Sequence, residues 1–163
     1  NGEEFRFELK KRLGQRNTEL LRKVNVPIDN LYISISTISK KDIIHQLIDA
    51  LIDIVGNRTS QLFAVAVMIK IIDGVREESE VFTQVQLEKI ESSYSISIKE
   101  NVESANDEEF RRAIKAMIEA VGAHLGRKKG EFISALKQKL GSDYVATIEN
   151  YGLNFHILEM KFD

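Results

Sequence analysis

His45, Asp49 and Asp53 recur at four-residue spacing. On a helix this puts an imidazole and two carboxylates along one slowly turning stripe. Such a stripe could in principle hold a divalent metal or pair a general base with a carboxylate. Asp42 and Gln46 share it, and it lies opposite the apolar positions Ile44, Leu47, Ile48, Leu51 and Val55, so the spacing predicts a solvated polar face. A metal site needs a second group of His or carboxylates at ligand spacing, and the chain has only three His, at 45, 124 and 156. No metal site and no catalytic residue is assigned. His45 with Asp49, or His124 or His156, are what an enzyme would have to use.

A second cluster is basic. Gly122, Gly126 and Gly130 bracket Arg127, Lys128 and Lys129, and glycines with lysines before a helix can cradle a phosphate through backbone N–H groups. The nucleotide-binding loop requires a preceding strand and a Lys-Ser or Lys-Thr pair, whereas Gly130 is followed by Glu131 and Phe132. Gly126 is therefore expected to stop one helix, with three cations complementing its C-terminal dipole. Arg127, Lys128 and Lys129 are kept as candidate binding residues.

His45-Gln46-Leu47 has the His-x-Leu triplet of histidine phosphotransfer domains and resembles them in that triplet alone. The basic and glycine positions that follow it there are Ile48 and Asp49 here, and Asp49 would repel a phosphate one turn on. A phosphotransfer module or enzyme using His45 is thus a lesser alternative.

Composition removes other chemistry. With no Cys there is no disulfide, no Cys-ligated zinc or iron–sulfur centre and no thiol nucleophile. The Gly-x-Ser-x-Gly and His-Glu-x-x-His motifs are missing as well. No cofactor is expected. Nucleic acid is an unlikely partner, because the basic residues after Phe110 are diluted by acids and are not interleaved with aromatics at strand spacing.

These residues must be positioned by a chain of 163 residues, 43% apolar and 29% charged, which suits one globular domain. Phe5, Leu9, Leu13, Leu20 and Leu21 predict an amphipathic N-terminal helix over residues 1–25, a connector or dimer contact. Residues 26–163 are expected to form a single α+β domain, rich in helix with a small antiparallel sheet. Alternation predicts strands near 31–37, 81–90 and 94–99, and a closing strand over 153–161. Ser39 is expected to cap a helix bearing the His45 stripe, and Asn106 to cap the helix of Phe110, Ile114, Met117, Ile118, Val121 and Leu125. Residues 62–72 suit either a buried helix or a central strand; Ala and Met favour the helix. Helices over Phe132–Leu140 and Tyr144–Ile148 end at Gly141 and Gly152.

The start of the chain lacks a signal peptide, and the longest uncharged apolar-rich stretch, Thr59–Ile69, is about half the length of a membrane span. Asn57-Arg58-Thr59 is a glycosylation sequon by chance in that setting. The expectation is a cytoplasmic signalling or regulatory domain cut from a larger protein, binding a protein partner or itself as a homodimer. The alternative is a sensor holding a small apolar ligand between sheet and helices. Charge supports recognition: the formal net charge is −2, yet residues 76–110 carry ten acids and three cations, while 1–25 and 111–163 are each net positive.

Overall fold

The computed structural model describes residues 38–57, 59–126 and 131–162. The expected helix over 1–25, the expected strand over 31–37 and the basic cluster Arg127–Lys129 lie outside the described residues.

Helix α1 spans Lys40–Gly56. It starts where expected, because Ser39 and Asp42 form a reciprocal capping box: the Ser39 hydroxyl accepts from the Asp42 N–H at 3.1 Å, and the Ser39 N–H donates to the Asp42 carboxylate at 3.0 Å. The Ser39 hydroxyl, which also donates to the Asp42 carboxylate at 2.8 Å, and then the Ser39 N–H hold the Asp42 carboxyl below its usual range. α1 buries more than the predicted stripe. Ile43, Ile52 and Ile54 join Ile44, Leu47, Ile48, Leu51 and Val55 in the core, so this helix is surrounded on most of its circumference. Helix α2, Gln61–Arg76, is capped by Ser60, whose hydroxyl accepts from the Phe63 N–H. The choice between helix and strand over 62–72 is thus settled for helix. Its inner face is Ala64, Val65, Met68, Ile72 and Val75, while Phe63 stands half exposed on the outer face.

The predicted strand at 81–90 begins later. A single helical turn, α3 (Glu80–Thr83), precedes β1 (Val85–Ile90). Val81 and the adjacent Phe82 are both buried, which a strand with one covered face cannot achieve but a helical turn can. β1 pairs antiparallel with β2 (Ser93–Ile98), in register from Val85 opposite Ile98 to Ile90 opposite Ser93. Val85 and Leu87 turn inward, with Ile96, Ile98 and Tyr94 partly buried on the same face, and the serines of β2 face outward. The two-residue connection carries Glu91 at φ 39°. That value suits the first loop position of a type II′ turn, where glycine is the favoured residue.

A 3-10 turn at Glu100–Ser104 leads into α4, Asp107–Leu125. Asn106 caps it as expected, its side chain accepting from the Glu109 N–H at 2.8 Å. α4 buries Phe110, Ala113, Ile114, Met117, Ile118 and Val121. Helices α5 (Phe132–Leu140) and α6 (Ser142–Asn150) meet at Gly141, whose φ of 80° needs a residue without Cβ strain.

The closing strand over 153–161 is not formed. Phe155–Phe162 is a helix, α7. Asn154 explains the outcome: its side-chain oxygen accepts from the N–H groups of His156 and Ile157 at 2.9 and 3.2 Å, as an N-cap does. Phe155 and Leu158 are then buried one helical turn apart. The described residues form one helix-rich α+β unit with a two-stranded antiparallel sheet, and none of the described helices is long and apolar enough to cross a membrane.

Candidate functional site

The His45 stripe faces solvent as expected, and its groups are also engaged with neighbouring elements. His45 Nδ1 lies 3.0 Å from one Asp49 oxygen, and the Tyr94 hydroxyl donates to the other at 2.9 Å. Asp49 therefore joins α1 to β2. Burial, and then the hydrogen bond to Asp49 with the carboxylate charges of Asp49 and Asp53, pushes the Tyr94 phenol up to about 12. Asp53 turns elsewhere: it accepts from Lys139 Nζ at 2.9 Å, and Gln46 Nε2 donates to the Lys139 carbonyl at 3.3 Å. The two carboxylates of the stripe serve two different neighbours, the hairpin and α5. Among the described residues no group of three or more His, Asp or Glu is placed to hold a metal ion. His124 is exposed on the last turn of α4, and His156 on α7 faces Glu159 at 3.6 Å. The three histidines stand on three different helices.

Lys40 is a polar anchor that sequence reasoning missed. Only 8% exposed, it donates from Nζ to the Ala105 carbonyl at 2.6 Å and pairs with Asp107 at 3.0 Å. Its ammonium also lies over the rings of Phe110 and Tyr151, at 5.7 and 5.5 Å. The Glu103 carboxylate accepts from the backbone N–H groups of Lys40 and Lys41, at 3.2 and 2.9 Å, and Lys41 pairs with Glu100. A signal was present: two lysines in a helix's first turn oppose its dipole, so acids from elsewhere in the chain are needed there.

Arg76 is a second anchor. From the last turn of α2 it donates through Nε to the Phe82 carbonyl at 3.2 Å and through Nη2 to the Val85 carbonyl, while pairing with Asp73. It thereby ties the start of β1 to α2. Beside it a groove of about 310 Å³ runs between α2 and β1, with Ile69, Ile72, Val85 and Leu87 in its lining and Asp73, Glu88 and Lys99 among its charged residues. Two other hollows follow the acidic region. One of about 400 Å³ includes Glu78, Ser79, Glu80, Asn106, Glu109 and Arg112; the other, of about 310 Å³, shares Glu80 and Glu109 with it.

Charge is distributed unevenly among these elements. The cations of α4, α5 and α7 are matched: Lys115 and Lys161 with Glu119, Lys137 with Glu159, Lys139 with Asp53. Arg111 and Arg112 face Glu108, and the Arg111 hydrogen bond holds the Glu108 carboxyl below its usual range. Glu77, Glu78 and Glu80, by contrast, are exposed at the end of α2 and on α3. Their carboxylates have no ion-pair partner among the described residues.

No family model, no curated protein and no solved structure matches this chain.

Proposed function

We propose that the chain is a non-enzymatic regulatory or protein-interaction module that meets a basic surface of its partner through the rim at Glu77, Glu78 and Glu80. The observation that carries this reading is the contrast in charge pairing: cations on α4, α5 and α7 have carboxylate partners, whereas the rim carboxylates are unpaired and exposed. Unpaired surface charge of one sign steers encounter with the opposite sign and sets specificity more than raw affinity. The chemistry-capable stripe supports the same reading, since His45, Asp49 and Asp53 are occupied in joining α1 to β2 and α5.

The test is fluorescence anisotropy of labelled oligolysine and oligoglutamate peptides with the full chain. Binding of the lysine peptide alone is expected, weakened steeply as salt shortens the screening length from about 10 Å at 0.1 M to about 3 Å at 1 M, and abolished by the pair Glu78→Lys and Glu80→Lys. Equal binding of both peptides would sink the reading. A second reading, a small-ligand sensor, is favoured by the groove at the junction of hairpin and α2, where an apolar ligand would sit on Ile69 and Ile72. A large rise in melting temperature with an apolar compound would decide for it.

A further inference from the structure

One edge of the hairpin, that of β1 away from β2, is not paired with another strand among the described residues. In an antiparallel pair, residues that exchange backbone hydrogen bonds alternate with residues whose N–H and C=O point away from the partner strand. The Lys99 N–H donates to the Gln84 carbonyl at 3.1 Å, and the register places Gln86, Glu88 and Ile90 in the same phase. Val85, Leu87 and Lys89 therefore direct their backbone groups to the outer edge of β1. The Val85 carbonyl is taken by Arg76. The N–H and C=O of Leu87 have no backbone partner among the described residues, and they border the groove between α2 and β1, which is lined by Ile69 and Ile72 on the helix side.

Open backbone groups beside a helix-walled groove that combines apolar and polar lining are the arrangement by which an extended peptide joins a sheet: main-chain bonds give affinity and alternate side chains give specificity. The rim sets the polarity of such a peptide. Lys99, beside the start of β1, has no ion-pair partner among the described residues. Glu88 lies four residues beyond Gln84, about 13 Å along the strand. Both are on the outward face of the hairpin, whereas Leu87 is on the inner face. A strand laid on this edge would put apolar side chains inward at the levels of Val85 and Leu87. It would put an acid outward near Lys99 and a base near Glu88.

We propose that the groove between α2 and β1 is a peptide-binding site that takes an extended segment of a partner protein as a third, antiparallel strand, in the pattern base, apolar, polar, apolar, acid. It rests on the interaction reading only in taking a protein segment as ligand, and it does not use the acidic rim.

The probe is a capped peptide, Lys-Val-Thr-Val-Glu, added at millimolar concentration to the isotope-labelled full chain and followed by amide chemical shifts. Shifts centred on Leu87 and Lys89 are expected, with the β2 edge at Tyr94, Ile96 and Ile98 unmoved. Methylating the nitrogen of the valine that faces Leu87 should abolish them. The reversed peptide, Glu-Val-Thr-Val-Lys, should bind several-fold more weakly, and the exposed double substitution Glu88→Lys with Lys99→Glu should invert that preference. Glu78→Lys with Glu80→Lys should leave the shifts intact, so failure of the rim reading and failure of this one are separable. The proposal is overturned by shifts at the β2 edge instead, by unchanged binding of the methylated peptide, by indifference to the charge inversion, or by the same shifts arising from protein concentration alone, which would make the occupant a second copy.

Discussion

Helix α1 and the β1–β2 hairpin are held in the fold by different means. α1 buries ten of its side chains and is capped by its own Ser39 and again by Glu103. The hairpin fully buries only Val85 and Leu87, and two polar ties reinforce it, Arg76 to the carbonyls of Phe82 and Val85 and Tyr94 to Asp49. A two-stranded hairpin is marginal by itself, so these few bonds matter more there than they would in a larger sheet. One carboxylate of the stripe most suggestive of chemistry, Asp49, is thus spent where apolar burial is thinnest, while the other, Asp53, ties α1 to α5.

Substitutions can break or sharpen that contrast. The largest effect is expected in α1: Leu47→Ala, at a fully buried position, should lower global stability by about 3 kcal/mol in chemical denaturation. Arg76→Ala removes the donors of two carbonyls and should cost about 2 kcal/mol. Hydrogen exchange should show its effect in the hairpin far more than in α1. Loss of protection spread evenly over both would mean that the hairpin and α1 open as one unit.

Tyr94→Phe should cost about 1 kcal/mol by deleting the bond to Asp49, and it carries a pH signature. The folded phenol titrates at about 12, against about 10 for a tyrosine in the unfolded chain. The folded state thus holds its proton more tightly, so that contribution is complete below about pH 10 and is lost as pH rises from about 10 to about 12. The variant should lack this part of the alkaline decline, as a stability–pH series would show. The smallest change is a gain. Glu91→Gly relieves the positive φ of the hairpin loop and should stabilise by up to about 1 kcal/mol, visible as a higher melting temperature.

Much of this architecture is legible in the residue pattern. The capping residues Ser39 and Asn106, the hairpin, and the helices of Phe110 and Phe132 follow from local propensity and period. Local pattern misleads at Val81–Thr83 and at 153–161, where alternation mimics strands. At the first, two adjacent residues are drawn into the core; at the second, an Asn side chain starts a helix. The His45 stripe is legible as a helix face but not as a joint, because Tyr94 and Lys139 lie 45 and 86 residues from the carboxylates they meet. The groove is foreshadowed only as a place between sheet and helices. Its outline depends on where β1 begins, which α3 delays to Val85.

The Glu103 cap on α1 also has a consequence in time. The carboxylate that receives the Lys40 N–H is 63 residues further along the chain. At a synthesis rate of about 5–20 residues per second, roughly 3–13 s pass between the making of the helix start and the making of this cap. Through that interval the nascent α1 must rely on Ser39 and Asp42, with two lysines set against its dipole. Its first turn is thus completed late by a residue from the far side of the hairpin, which makes the docking of α1's start against that later segment a checkpoint that the growing chain passes only after the hairpin has been synthesised.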